Sequence, residues 1–547
     1  MYAITPLDPS SALRFEALAP FEMRDVLRGL ASLPRVHAFG AQLIGRPIGL
    51  VMVVRDGAGT QRTGRLLALT VARAYRRIGV GRALFAAACD ELAAQGVERI
   101  SCAYAFDSAD GLHATEAFFA ATAWEPPETT MVHCSADESF LASPLLRELA
   151  PLPPEYAVCD WIDVTPAERE SIRVRQRAEP WYPPELDPFH FEPEMEIVNS
   201  LALRYRGEVV GWLLTTRTSS QTMYYRCLFV RDDLARLGRG LTLLTEAIRR
   251  HWDAIGRKPG AGEWSTPTSL PRMIRFIKRH LQPYGARVRE QRRVQKTLTV
   301  TPAAPRVQTR GAARPTSASV RRIACLSAAE SALARAAVLD ARPAWRRHTH
   351  ESLPFHTLGA CAQLDATADI GAYETLARAQ NAALSARLPW LYDRVRAALT
   401  GALGAPVVFD HQWALPGFRI DTPQRGSSLP LAPVHCDIQH FLLEPGATYT
   451  APPMSFAVCV TSPEDASGLT EWSLAFADTV GCDSEETARL LDAVEQNRYA
   501  FAPGELLVHE SERFHQRLPF RDASVRGEMI TLEGHARVVN GTWRVYW

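Results

Sequence analysis

The chain has 547 residues, 47% hydrophobic and 22% charged, the profile of a soluble globular protein and not of a collagen-like, disordered or disulfide-scaffold chain. At roughly 100–200 residues per domain, that length predicts three or four domains. Lys+Arg at 61 against Asp+Glu at 60 leave a formal net charge of +1, so a chain-wide basic field for nucleic acid is absent. The ten cysteines are scattered singly, with no CxxC pair for zinc or redox work. The N-terminal stretch lacks a basic region followed by an apolar core. No apolar run approaches the ~18–20 residues that span a bilayer. A cytoplasmic protein with no nucleic-acid or membrane partner is expected.

In chain order, a strand pair at His37–Val54 turns at Gly45–Arg46. A strand ending at Val71 leads into a polar loop with Gly79 and Gly81, an amphipathic helix, and a second helix at Leu112–Ala123. The pattern then repeats. Strands at Leu201–Thr215 turn at Arg206–Gly207–Glu208, a strand ends at Val230, Gly238 and Gly240 follow, and a second helix covers Ser269–Leu281. A period of this length is too long for a solenoid and means two copies of one domain, with the boundary near Ala150–Pro154. The basic run Arg287–Lys296 reads as a solvated edge strand. Val300–Arg322, rich in Pro, Ala, Ser and Arg, reads as a linker.

A GxG opening a helix after a strand puts bare backbone N–H groups and the positive helix end where an anion can sit. A dinucleotide reading wants GxGxxG, but Leu84 stands where the third glycine belongs. Arg76-Arg77-Ile78-Gly79-Val80-Gly81 instead resembles the acetyl-CoA pyrophosphate loop, (R/Q)xxGxG/A, of the GNAT-superfamily N-acetyltransferases, and the resemblance covers most of 1–140. It implies a GNAT fold that binds acetyl-CoA or another acyl-CoA. Val71 and Arg73 would edge the acyl–pantetheine cleft, and backbone at Arg76, Arg77, Gly79, Val80, Gly81 and Arg82 would hold the pyrophosphate. The family often places a tyrosine on the later helix to protonate the leaving thiolate; here Phe119 takes that position. The second copy resembles GNAT over roughly 155–300. There Val230, Arg236, Gly238, Arg239 and Gly240 would form the acyl-CoA loop, with Ala235 replacing the leading Arg/Gln. The stretch at 180–194, dense in aromatics and prolines, reads either as a substrate wall or as a rigid loop packed on the core.

Past Ile323 come helical stretches at Ala328–Ala341 and Tyr373–Leu403, then many short strands punctuated by Gly and Pro, which suggest a double-sheet jelly roll. In a strand over Val434–Leu442, His435, Asp437 and Gln439 share one face because side chains alternate. His509 and His515 offer a further imidazole. His-x-Asp with a distant His is a 2-His-1-carboxylate triad, which leaves open positions on Fe(II). Arg526 lies eleven residues after His515, and its guanidinium suits a bidentate carboxylate grip. The arrangement over 405–547 resembles the Fe(II)/2-oxoglutarate-dependent dioxygenases. The resemblance implies His435, Asp437 and His515 as iron ligands, with His515 preferred to His509 on its spacing to the arginine. Arg526 would hold 2-oxoglutarate, with Arg521 as the fallback. Gln439 would contact 2-oxoglutarate or substrate, or simply line the barrel. Glu528 replaces the serine of the RxS form seen in some relatives. Asp437 argues against a halogenase.

The chain thus reads as multidomain α/β plus β. Two GNAT-fold α/β domains occupy 1–150 and 151–300, 301–322 is the linker, and a double-stranded β-helix (jelly-roll) domain with N-terminal helices fills 323–547. The expected function is bifunctional tailoring, with Fe(II)/2-oxoglutarate-dependent oxidation joined to acyl-CoA-dependent N-acylation of a small-molecule or carrier-tethered substrate, as in secondary-metabolite assembly. One alternative is an oxygenase whose GNAT domains are silent recruiting modules. The other is a non-enzymatic binding protein.

Overall fold

The computed structural model describes residues 2–56, 62–106, 109–144, 151–192, 195–218, 221–235, 238–254, 260–299, 320–348, 355–367, 369–422, 434–463, 468–518 and 527–547. The first repeat supplies β1 (Ala3–Pro6), β2 (Val36–Leu43), β3 (Arg46–Arg55), β4 (Thr63–Val71), β5 (Arg99–Tyr104) and β6 (Glu128–Asp137). The second supplies β7 (Tyr156–Asp160), β8 (Leu201–Tyr205), β9 (Glu208–Arg217), β10 (Thr222–Val230), β11 (Ala261–Pro267) and β12 (Arg287–Thr297). Both hairpins close on two residues with positive φ, Ile44 (49°) with Gly45 (73°) and Arg206 (51°) with Gly207 (86°). This is the turn whose twist matches that of the flanking strands. The first turn therefore lies one residue earlier than the sequence pattern placed it.

All twelve strands join one sheet in the order β1-β2-β3-β4-β5-β12-β6-β11-β10-β9-β8-β7. The two repeats exchange their last strands: β12 pairs with β5, β6 pairs with β11, and β6 and β12 pair antiparallel with each other. Arg287–Thr297 is therefore an interior strand, not a solvated edge. Its charges are paired: Arg292 meets Glu116 on the helix Ala109–Ala121 and Glu290 on its own strand, and Arg287 meets Asp137 of β6 at 3.3 Å. Val294 packs into the first repeat's core at 1% exposure. In each repeat two parallel strands pair briefly and then part. β4 and β5 pair only through Thr63–Arg65 with Arg99–Ser101, and β10 and β11 only through Thr222–Tyr225 with Ala261–Trp264. In each repeat the parted end of the first strand is the end that leads into the GxG loop.

In the C-terminal unit, helices Ala328–Asp340, Ile370–Arg387 and Pro389–Leu403 pack on a sheet. The expected single stretch Tyr373–Leu403 breaks at Leu388, because Pro389 cannot donate to the preceding turn and disfavours helix at the residue before it. The strands are β13 (Arg321–Ala324), β14 (Arg346–His348), β15 (Phe355–Leu358), β16 (Val407–Phe409), β17 (Gly417–Asp421), β18 (Met454–Thr461), β19 (Gly468–Ala475), β20 (Gln496–Ala500), β21 (Glu505–Glu510), β22 (Arg513–Leu518), β23 (Met529–Val539) and β24 (Thr542–Tyr546). They form a nine-stranded sheet, β13-β21-β18-β23-β17-β15-β14 with β24 and β16 alongside, and a three-stranded sheet, β20-β19-β22.

The expected jelly roll, or double-stranded β-helix, is not what these strands build. Both sheets are open among the described residues, and neither closes into a barrel. One of the expected strands is missing from them. Val434–Leu442 is not a strand: it makes one bridge, His435 to His515, and then coils into the helix Gln439–Leu443. That helix packs on the helix Arg24–Arg28 of the first repeat, where an added Cβ on Gly29 would fall 2.7 Å from the Phe441 ring. Arg65 of β4 also reaches Glu486 at 2.5 Å and the Gly481 carbonyl at 2.7 Å. No helix among the described residues is long and apolar enough to cross a membrane.

Candidate metal centre and acyl-transfer clefts

His435 and His515 sit opposite one another, each backbone N–H donating to the other's carbonyl at 2.9 Å. The Asp437 N–H donates to the Ser511 carbonyl at 2.8 Å, which turns its side chain to the same point. One ligand atom from each of His435, Asp437 and His515 lies within 4.8 Å of the others. Backbone pairing thus unites these residues, not the strand alternation expected of 435, 437 and 439. Gln439, the first residue of the short helix, donates to Asp437 Oδ1 at 3.4 Å and so braces the carboxylate.

Electrostatics favour a cation here. Burial alone would push the Asp437 carboxyl up, but His515, His535 and His435 around it hold it well below the usual carboxylate range. Ser455 Oγ donates to Asp437 Oδ2 at 2.6 Å and also contacts Ser511 and His535 Nδ1. His515 Nδ1 faces the Arg513 carbonyl at 2.9 Å, so that nitrogen carries the proton and Nε2 turns its lone pair inward. Nε2 lies 3.5 Å from Asp437 Oδ2. Two imidazoles and one carboxylate, with Asp437 and His515 buried and His435 half-buried, fit a divalent metal with nitrogen and oxygen preference. His509 stands beside the cluster, its ring 4.6 Å from that of His515. Burial and the adjacent His515 pull it down to about 3, so it stays neutral.

The cluster opens on a pocket walled by Phe355, Leu469, Phe501, Arg419, Arg517 and Glu533. Arg517 is engaged by Glu533, by Asp421 at 3.0 Å and by Thr531 at 3.0 Å. Arg419 donates to Asp421 Oδ1 at 3.2 Å and lies over the Phe355 ring. Arg521 and Arg526 lie outside the described residues. Glu528 pairs with Arg342 at 2.6 Å and Arg335 at 3.4 Å. Sequence reasoning missed Ser455, His535 and Arg517. Only Arg517 carried a signal, being two residues after His515 on one strand face.

In the first repeat, Gly79 takes φ 92° and opens the helix Val80–Ala94, which has no side-chain cap on its first N–H groups. Arg73, Arg76, Arg77 and Arg82 are exposed around it, and Val80 is buried. Arg76 Nε donates to the Val71 carbonyl at 3.0 Å and ties the loop to the strand end. Phe119 is not in the cleft: it is 5% exposed and packs on Tyr104 and Trp124. Phe118 is the ring that approaches the loop, 3.9 Å from where a Cβ on Gly81 would sit. In the second repeat Gly238 takes φ 73° and Gly240 faces Val230. Arg239 turns away from the loop and is buried over the Tyr156 ring. Ala235 ends a short helix, and Arg236 lies outside the described residues. The aromatic stretch divides: Trp181 and Tyr182 pack on Trp212, while Glu185 and Leu186 line a cavity.

Residues 7–119 match the model of the acetyltransferase (GNAT) family. A tandem GNAT protein from the clavulanic acid biosynthesis pathway is similar to this chain at 14% identity, covering 56% of this chain and 100% of its own, with a TM-score of 0.36. A GCN5-related N-acetyltransferase from Sphaerobacter thermophilus is similar at 16%, covering 54% of this chain and 96% of its own, with a TM-score of 0.35. PaiA N-acetyltransferase from Thermoplasma acidophilum, solved with coenzyme A, is similar at 12% over 23% of this chain and 90% of its own, with a TM-score of 0.19. No curated protein sequence matches the chain. The family match supports a GNAT-superfamily acetyltransferase domain in the first repeat.

Proposed function

We propose that the chain is a bifunctional enzyme that oxidises a small-molecule or carrier-tethered substrate at its C-terminal site and N-acylates one at its first repeat. The observation that carries the oxidative half is the convergence of His435, Asp437 and His515 on one point of a walled cavity. These three would hold Fe(II), which with 2-oxoglutarate supplies oxygen-dependent C–H oxidation, hydroxylation being the default. Ser455 and Gln439 fix the carboxylate, and the Arg513 carbonyl fixes the His515 tautomer. Phe355, Leu469 and Phe501 give the wall its apolar surface. Arg526 is the proposed grip on the far carboxylate of 2-oxoglutarate.

In the first repeat, the bare N–H groups at Val80–Arg82 and the arginines around them would cradle the pyrophosphate of acetyl-CoA or another acyl-CoA. Val71 and Arg73 would edge the thioester cleft. In the second repeat, backbone at Val230, Gly238 and Gly240 would play the corresponding part with weaker charge support. A second reading, GNAT units that recruit a substrate without acylating it, is favoured by two observations. Phe118 and Phe119 offer no proton to a leaving thiolate, and Arg239 is buried.

Succinate formation from 2-oxoglutarate tests the oxidative half, comparing anaerobically iron-loaded wild type with His435→Ala on exposure to O₂. Succinate from wild type alone supports it, and loss of both turnover and Fe(II) binding in wild type overturns it. Coenzyme A release from acetyl-CoA with an amine panel tests the acyl half, and coenzyme A binding without release favours recruitment.

A further inference from the structure

Asp437 enters the metal centre on a segment that meets the first repeat directly afterwards. Two residues on, the chain coils into the helix Gln439–Leu443, whose Phe441 is 3% exposed. The Phe441 ring lies against Gly29, which ends the first repeat's helix Arg24–Arg28. The Gly446 N–H then donates to the Arg28 carbonyl at 2.8 Å. The segment from Asp437 to Gly446 is therefore pinned by Ser511 at one end and by the first repeat at the other.

Gly29 lacks a side chain where its backbone does not require the lack. Its φ of −85° and ψ of 10° belong to the bridge region, which other residues enter. An added Cβ would fall 2.7 Å from Cε2 and Cζ of Phe441, well inside the roughly 3.5–4.0 Å of packed carbon atoms. The missing side chain is what lets the ring approach.

A second route from the first repeat reaches the same ligand. Phe476 and Val480 pack with Leu27 and Val36 in the first repeat's core. The Phe476 N–H donates to the Glu512 carbonyl at 2.7 Å. Glu512 adjoins Ser511, whose carbonyl receives the Asp437 N–H at 2.8 Å. Both sides of that hydrogen bond thus lead within a few residues to the first repeat.

We propose that the first repeat completes the metal centre: packing of Phe441 on Gly29 sets where Asp437 stands relative to His435 and His515. The two histidines are fixed to each other by their own bridge, so the carboxylate is the ligand this contact governs. Gly29 and Phe441 are positioning residues. The inference rests on His435, Asp437 and His515 holding a metal. It makes metal affinity depend on a part of the chain that supplies no ligand.

The probe is Co(II) alone, titrated into the full chain and read by its d–d absorption, which reports affinity and coordination together. Gly29→Ala is expected to weaken Co(II) binding about tenfold, within the range that packed side chains carry between sites, and to alter the d–d bands. Phe441→Leu removes the ring carbons that the new methyl would strike but leaves a gap, and is expected to cost about threefold. The double variant Gly29→Ala with Phe441→Leu lets methyl and leucine share the space. It is expected to return to within about threefold of wild type, so that the two losses do not add. Gly29→Ala binding Co(II) as wild type does overturns the proposal, and so does a double variant weaker than Gly29→Ala. If Gly29→Ala fails to fold, Phe441→Leu decides: weaker binding at a kept melting temperature supports the proposal, and unchanged affinity overturns it. Wild type that binds no Co(II), or His435→Ala that binds it equally, overturns the metal reading and this inference with it. Binding lost in His435→Ala yet untouched by Gly29→Ala overturns this inference alone.

Discussion

His435 and His515 lie face to face across a single β-bridge, each donating its backbone N–H to the other's carbonyl at 2.9 Å. The two imidazoles are therefore placed by main chain, and a side-chain truncation leaves the bridge intact. His435→Ala and His515→Ala are expected to keep the wild-type melting temperature within a few degrees. Each is expected to lose about a hundredfold or more in anaerobic Fe(II) affinity, since each removes one of three donors. An unchanged iron isotherm in His515→Ala would transfer the ligand role to His509.

Ser455 provides a milder test of the same centre. Its hydroxyl holds Asp437 Oδ2 at 2.6 Å and contacts Ser511 and His535. Loss of such a supporting hydrogen bond typically weakens a metal site about 10–100-fold. Ser455→Ala is expected in that range, with His435→Ala weaker still. Equal affinity of Ser455→Ala and wild type would mean that the hydroxyl does not orient the carboxylate in the metal-bound state.

The repeat was legible because its signals are local: a valine-ended strand and two glycines recur at matching offsets, each set preceded by a glycine-containing hairpin turn. The strand exchange was not, since alternation in Arg287–Thr297 says which face is inward but not which strand is its neighbour. Val434–Leu442 read as a strand on alternation alone. At Ile438 the chain leaves extended geometry, with φ −115° and ψ 19°, and Phe441 is buried against Gly29. Contact with another part of the chain overrode the local pattern there. His435, Asp437 and His515 were found by residue type and spacing. Ser455 and His535 reach Asp437 from distant strands, and no spacing in the sequence encodes that contact.

The exchange of β6 and β12 makes the two repeats inseparable. A fragment ending at residue 150 lacks β12 and leaves β5 with an open hydrogen-bonding edge, which invites pairing with other chains. Residues 1–150 alone are expected to aggregate or dimerise through that edge. Residues 1–299 are expected to behave as one monomeric folding unit. Size-exclusion chromatography with circular dichroism checks both, and a monomeric 1–150 fragment with a cooperative melt would contradict the pairing.

Phe118 and Phe119 separate packing from chemistry in the first repeat. Phe119 is enclosed by Tyr104, Phe118 and Trp124, so Phe119→Tyr buries a hydroxyl among rings at a cost of about 1–3 kcal/mol. Phe118 faces the loop beside Gly81. Phe118→Tyr is expected to leave stability within about 0.5 kcal/mol and to raise any coenzyme A release by supplying a proton donor. Thermal melts and a thiol-release assay distinguish the two positions. A gain in release from Phe119→Tyr instead would place that residue in the cleft.

His251 ties stability to pH in the second repeat. It is fully buried on the helix Arg239–Ala254, and burial with the charge of Arg217 nearby pulls it down to about 4. The unfolded chain protonates this residue near pH ~6.5, whereas the folded chain resists until pH falls to about 4. The unfolded state therefore binds more protons between those values, and stability falls as pH drops through that window. The loss is on the order of 3 kcal/mol, and above pH ~6.5 the residue contributes no slope. Leu92 occupies the matching position of the first repeat, so His251→Leu substitutes a residue the fold already accepts. The variant is expected to gain on wild type by that amount between pH 7 and pH 4, measured as the difference in urea midpoints on residues 1–299. A difference that stays constant with pH would show that His251 takes up its proton as readily in the folded protein as in the unfolded chain.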